Sequence, residues 1–180
     1  KIIDKLTNYH PEDTSLILTL GEIDLRNHVH KQSSRQNRLP ELIVRDIVEN
    51  YMSFLDKLRL KGYQVLVNAP HCGGGTGHAS FPLEERNDMC FYMNSLLLEE
   101  CRQRNIRFAG LHEIVVDPIT RKNRENFFYD IHHLHLPINK IGKSLQSVLI
   151  DRFLNQPELK NKSKINNEKI NGICNILSSN

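Results

Sequence analysis

Two rhythms of apolar residues alternate along this chain: short unbroken runs, and longer stretches in which apolar positions recur every three or four residues. Lys1–Tyr9 reads as the end of a helix, and Pro11-Glu12-Asp13 as the turn after it. Thr14–Leu20 (TSLILTL) is nearly continuous in apolar and β-forming residues, which suits a strand buried on both faces. Gly21–Arg38 is polar, shows no apolar period and reads as a loop. Behind Pro40, the stretch Glu41–Leu60 places Ile47, Tyr51, Phe54, Leu55 and Leu58 on one helical face, and Gly62 is a natural stop. Tyr63–Val67 is a second strand, followed by the glycine-rich loop Asn68–Pro82. Leu83–Asn105 returns to helix, with Met89, Met93, Leu96, Leu97 and Cys101 on one side. Ile106–Ala109 is a third, brief strand, and His112–Asp117 a short helix or extended piece closed by Pro118. Thr120–Pro137 is polar and rich in histidine, and Ile138–Asn155 is the last helix, through Ile141, Leu145, Val148, Leu149 and Phe153.

Strands alternating with amphipathic helices predict the α/β class: a three-layer α/β/α sandwich, flavodoxin-like, with a parallel sheet. Sheets usually carry about five or six strands, so three make a thin one. Lys1 already sits in a helix-like pattern, and the expectation is of an N-terminally incomplete fold. Residues 1–156 are expected to form one domain. Residues 157–180 are biased to Asn, Lys and Ile, and read as a weak helix or a disordered tail. No internal repeat is present.

Composition narrows the function classes. A chain of 180 residues fits a single domain. The net charge of +3 is small, and no block of like charges occurs, so nucleic acid is not an expected partner. No signal peptide opens the chain and no run approaches the ~18 apolar residues of a membrane span, so no membrane role is expected. The four cysteines lack a CxxC pair, and Cys90 and Cys101 fall inside a predicted helix as core residues. A reducing, cytoplasmic setting is the expectation.

In open α/β sheets the ligand site lies beyond the carboxyl ends of the strands. Eight of the nine histidines fall in or beside the segments expected there, His10 being the exception. The most informative segment is Phe128–His135 (FYDIHHLH), just ahead of the last helix. Asp130 and His133, three apart, share one side of a helical turn. The carboxylate can then accept the imidazole Nδ1–H and leave Nε2 free as a base. The same pair also reads as a capping aspartate beside a surface histidine. Gly21-Glu22-Ile23-Asp24 follows the first strand directly, with Arg26 close behind.

These two blocks resemble the SGNH/GDSL ester hydrolases. The D-x-x-H before the C-terminal helix matches the family's last block, and Gly21–Asp24 aligns with its G-x-N-D block, here in a G-E-I-D-x-R form. The resemblance covers roughly residues 1–155. It implies hydrolysis or transfer of an acyl group on a carbohydrate or similar small ester. Asp130 and His133 would be catalytic, while Gly21, Glu22, Asp24, Arg26 and His71 would contact oxyanion or substrate. Two departures stand out: the family's nucleophilic serine precedes the G-x-N-D block and has no counterpart here, and Ile23 stands where an oxyanion-binding asparagine belongs.

Other readings remain open at the level of sequence. Glu22, Asp24 and Arg26 also suit an ion-pair network holding the strand end. Gly73–Gly77 suits a phosphate cradle or a plain rim loop, and lacks the Lys-Ser/Thr of a P-loop. His71, Cys72, His78, Asp130, His132 and His133 are all competent metal ligands, so a metal-dependent hydrolase is the alternative enzyme, although no cofactor is predicted. A non-catalytic binding remnant is the third reading. In the family's strand order 2-1-3-4-5, the three strands present would be contiguous, with the strand at residues 14–20 made an edge. That apolar, uncharged edge needs cover, by an N-terminal segment, by the tail after Pro157 or by a second chain, and a homodimer through residues 14–20 is the expected closure.

Overall fold

Val65, Leu66 and Val67 are consecutive and all buried, as in a strand covered on both faces. They belong to the middle of three parallel strands, β1 (Ser15–Leu18), β2 (Gln64–Ala69) and β3 (Arg107–Gly110), in the order β1-β2-β3. The computed structural model describes residues 6–71, 82–128 and 140–155. Five α-helices lie within them: α1 (Val29–Gln36), α2 (Pro40–Leu60), α3 (Leu83–Gln103), α4 (His112–Val115) and α5 (Lys140–Leu154). The three strands are contiguous and parallel, as expected. Residues 157–180 lie outside the described set.

The register sets Leu16 beside Val65 and Leu18 beside Val67, and these four side chains join a core with α2 and α3. Leu66, with Ile17 and Ala109, belongs to a second core with Leu145, Leu149 and Phe153 of α5. Helices therefore cover both faces of the sheet, an α/β arrangement compatible with three layers. Leu55 and Leu58 of α2 and Leu97 of α3 are fully buried, each worth roughly 1.5–3 kcal/mol relative to exposure. Pro40 opens α2 where its missing N–H costs nothing, and Gly62, at φ +91°, turns the chain back toward the sheet. Tyr63 then anchors the N-terminal turns, its hydroxyl donating to the carbonyls of Leu6 (2.9 Å) and Tyr9 (3.1 Å).

The polar segment at residues 21–38 is not the loop its composition suggests. Asp24–His28 winds as a π-helical turn closed by the Val29 N–H on the Asp24 carbonyl, and α1 continues from it to Asn37, left-handed at φ 49°. Two apolar residues one turn apart, Leu25 and Val29, account for the difference, since both are completely buried against the α2 side of the core. One pair suffices for a helix that needs to cover only a corner. Strand ends also moved. β1 stops at Leu18, whose carbonyl accepts the Tyr51 hydroxyl at 3.0 Å, and β2 runs on to Ala69 because Asn68 and Ala69 pair with Ala109 and Gly110.

Beyond β3, residues 116–124 double back. Val116 bridges Asn123, the Asp117 carboxylate accepts the N–H groups of Ile119 and Thr120, and Asn87 of α3 donates to the Arg121 carbonyl (2.7 Å) and Asn123 Oδ1 (3.0 Å). This return delivers Phe128 into the α5 core. Among the described residues no helix is long and apolar enough to cross a membrane.

Candidate functional site

Each strand hands the chain to the same edge of the sheet, and the contacts there can be followed strand by strand. After β1, Gly21 takes φ +101° and is buried beneath Met93; a Cβ at this position would lie 2.4 Å from Met93 Cε and 3.8 Å from Pro70 Cγ. Its carbonyl accepts the Leu25 N–H at 2.9 Å, which starts the helical turn carrying Glu22, Asp24 and Arg26. Glu22 and Arg26 pair one turn apart, Arg26 Nε donating to Glu22 Oε1 at 2.8 Å with both side chains about a quarter exposed. Asp24 forms no ion pair among the described residues. Of the three charged residues of this block, Glu22 and Arg26 thus form an ion pair within one helical turn.

After β2, Pro70 is clamped to α3. Its carbonyl accepts the Cys90 thiol (3.2 Å) and Asn94 Nδ2 (3.0 Å). His71 follows, with its ring 5.6 Å from that of Phe128 at an angle of 50°. Phe128 stands two residues ahead of Asp130 in the chain, so the exit of β2 meets the segment leading to the D-x-x-H block. Asp130, His133, His132 and Gly73–His78 lie outside the described residues.

After β3 comes His112, which sequence reasoning counted among the histidines of this edge but gave no role. It is 3% exposed, packs edge-on against Phe91 at 4.2 Å, and sets Nδ1 3.6 Å from Cys90 Sγ. Burial, then the nearby charges of His71 and Arg121, hold its pKa down at about 4, so the ring is neutral at pH 7. Arg121 lies over the Phe91 ring at 4.1 Å and pairs with Asp88 at 2.9 Å. The available signal was positional: His112 stands two residues past a strand end. Cys90 and Cys101 are both fully buried, in keeping with the core role expected of them, and burial raises the Cys101 thiol to about 12. Cys90 additionally holds Pro70.

The structure therefore joins Gly21 to Pro70, His71 to Phe128, and Glu22 to Arg26. Among the described residues no three His, Cys, Asp or Glu side chains cluster as metal ligands would, and of the six ligand candidates only His71 is described. The chain matches no protein-family model, no curated protein and no solved structure.

Proposed function

We propose that this chain carries the acid–base part of an SGNH/GDSL-like ester hydrolase or O-acyltransferase site, on a flavodoxin-like three-layer fold, acting on an acylated carbohydrate or similar small ester. The observation that supports it is the convergence of strand exits: Gly21 against Pro70, and His71 against Phe128, immediately ahead of Asp130. In this reading Asp130 accepts the Nδ1–H of His133 and fixes its tautomer. His133 Nε2 takes the proton of a hydroxyl nucleophile as that oxygen attacks the acyl carbonyl, then returns it to the leaving alkoxide. Water, or a sugar hydroxyl in the transferase, then gives its proton to the same nitrogen as it attacks the acyl carbonyl, and the imidazolium returns that proton to the nucleophile's oxygen as the acyl bond to it breaks. Ile23 offers no side-chain donor, so the oxyanion falls to backbone N–H groups at Glu22, Ile23 and Asp24, which open a helical turn without intrahelical acceptors.

The test is acetate release from p-nitrophenyl acetate and from an acetylated sugar, with any coding sequence upstream of Lys1 included. His133→Ala should lower kcat by roughly 100- to 10,000-fold, the usual contribution of a general base. A wild-type rate no higher than that of His133→Ala would sink the esterase and favour a binding role. Stoichiometric zinc, with activity lost to a chelator, would favour the metal-dependent hydrolase instead.

A further inference from the structure

One enclosed imidazole stands where the exits of β2 and β3 meet α3. His112 lies edge-on to Phe91 and sets Nδ1 3.6 Å from Cys90 Sγ. The Cys90 thiol donates to the Pro70 carbonyl at 3.2 Å, so its sulfur accepts the His112 Nδ1–H and the ring proton sits on that side. Nε2 keeps a lone pair, shut away from solvent and without a hydrogen-bond partner among the described residues.

These surroundings suit the neutral ring alone. His71 faces it from the exit of β2, Arg121 from the return segment, and the Cys90 thiol and Phe91 ring from α3. The nearby carboxylates are engaged elsewhere, Asp88 of α3 with Arg121 at 2.9 Å and Glu113 of α4 with Arg152 of α5. A second proton, on Nε2, would put a donor without an acceptor and a charge without a counter-ion inside the packing, and both are costly. The ring gains that proton at low cost only by coming out.

We propose that His112 is an acid-triggered latch on the strand exits: once protonated it leaves α3, releases Cys90 and Pro70, and opens the edge that carries His71 and Phe128, while the core between α2 and α3 stays folded. Little else holds this corner. α4 is four residues long, and the segment behind it returns through a single bridge, Val116 to Asn123. The larger core, with Cys101 in it, lies on the other side of the sheet from the one that α4 joins. The latch concerns the exits themselves and does not rest on the ester-hydrolase reading.

Cys90 and Cys101, both fully buried on α3, report on the two ends of that helix. Each is labelled with dithiodipyridine in the full chain, located by peptide mass spectrometry, and its rate divided by that of the urea-unfolded chain at the same pH. With the ring at about 4 when closed and 6.5 when open, the Cys90 ratio should rise roughly 40-fold from pH 6.5 to pH 4.5, with Cys101 well behind. His112→Phe keeps a ring against Phe91 and cannot titrate, so its Cys90 ratio should stay nearly level. The proposal is overturned if the wild-type Cys90 ratio is flat with pH, if Cys101 opens in step with it, as in acid unfolding of the whole domain, or if the acid rise persists in His112→Phe. Should that variant not fold, the comparison of the two wild-type thiols decides alone.

Discussion

Replacing Gly21 with alanine tests how the chain leaves β1. At φ +101° an L-residue meets its own carbonyl, a strain of about 1–2 kcal/mol. The new methyl would also sit 2.4 Å from Met93 Cε and 2.9 Å from Sδ, and Met93 is fully buried. A methionine tail bends more readily than a branched side chain, so the repacking is set at about 1–2 kcal/mol. The sum is about 2–4 kcal/mol, a large part of the roughly 5–15 kcal/mol that holds a domain together. In urea, with a slope of about 2 kcal/mol per molar, the midpoint should fall by about 1–2 M, read by far-UV circular dichroism. Adding Met93→Ala separates the two causes, because it removes the collision and leaves the backbone strain. The double variant should be less destabilised than the sum of the singles by about 1 kcal/mol. A Gly21→Ala midpoint indistinguishable from wild type would refute the argument, and strict additivity would refute the Met93 part of it.

Two further outcomes are expected. The buried His112, with its pKa at about 4 against an ordinary 6.5, leaves the unfolded chain holding more protons between those values. Stability should therefore fall as pH drops through that window, by roughly 3 kcal/mol in all. His30, also lowered by burial, acts in the same direction. Urea midpoints at pH 7 and pH 4.5 check this, and His112→Phe should flatten the dependence; a wild-type midpoint unchanged across that range would contradict a buried neutral imidazole. At the other end of the sheet, β1 has β2 on one side and no described strand on the other, so pairing of residues 14–20 with the same segment of a second chain should give twice the monomer mass by size exclusion with light scattering. A monomer at all concentrations would exclude that pairing.

The long helices and the three strands were legible because each carries enough apolar residues to establish a period or a run. The turn at Asp24–His28 and α1 behind it were not, because the apolar signal they share is Leu25 and Val29, and two residues do not make a period. The inner face of α3 was only half legible. Sequence placed Met89, Met93, Leu96, Leu97 and Cys101 there, whereas the completely or nearly buried set is Arg86, Asn87, Cys90, Met93, Leu97 and Cys101. Arg86 and Asn87 escape any hydrophobic count, and Asn87 is buried because it satisfies the Arg121 carbonyl and Asn123, a partner set that exists only once the chain has turned back. Gly21 was found by its place after a strand, and the structure supplies the reason in its backbone angle and the sulfur above it. The Asp130–His133 pair, the most specific sequence signal, lies outside the described residues.

One face of α3 links what the strand exits do. Cys90, Met93 and Asn94 stand at spacings of three and four, so they project together toward the edge where the strands end. Met93 covers Gly21 after β1; Cys90 and Asn94 hold Pro70 after β2; Cys90 also meets His112 after β3. The exits are thus referenced to a single rigid element as well as to one another, and a shift of α3 by a fraction of an ångström would reach all three.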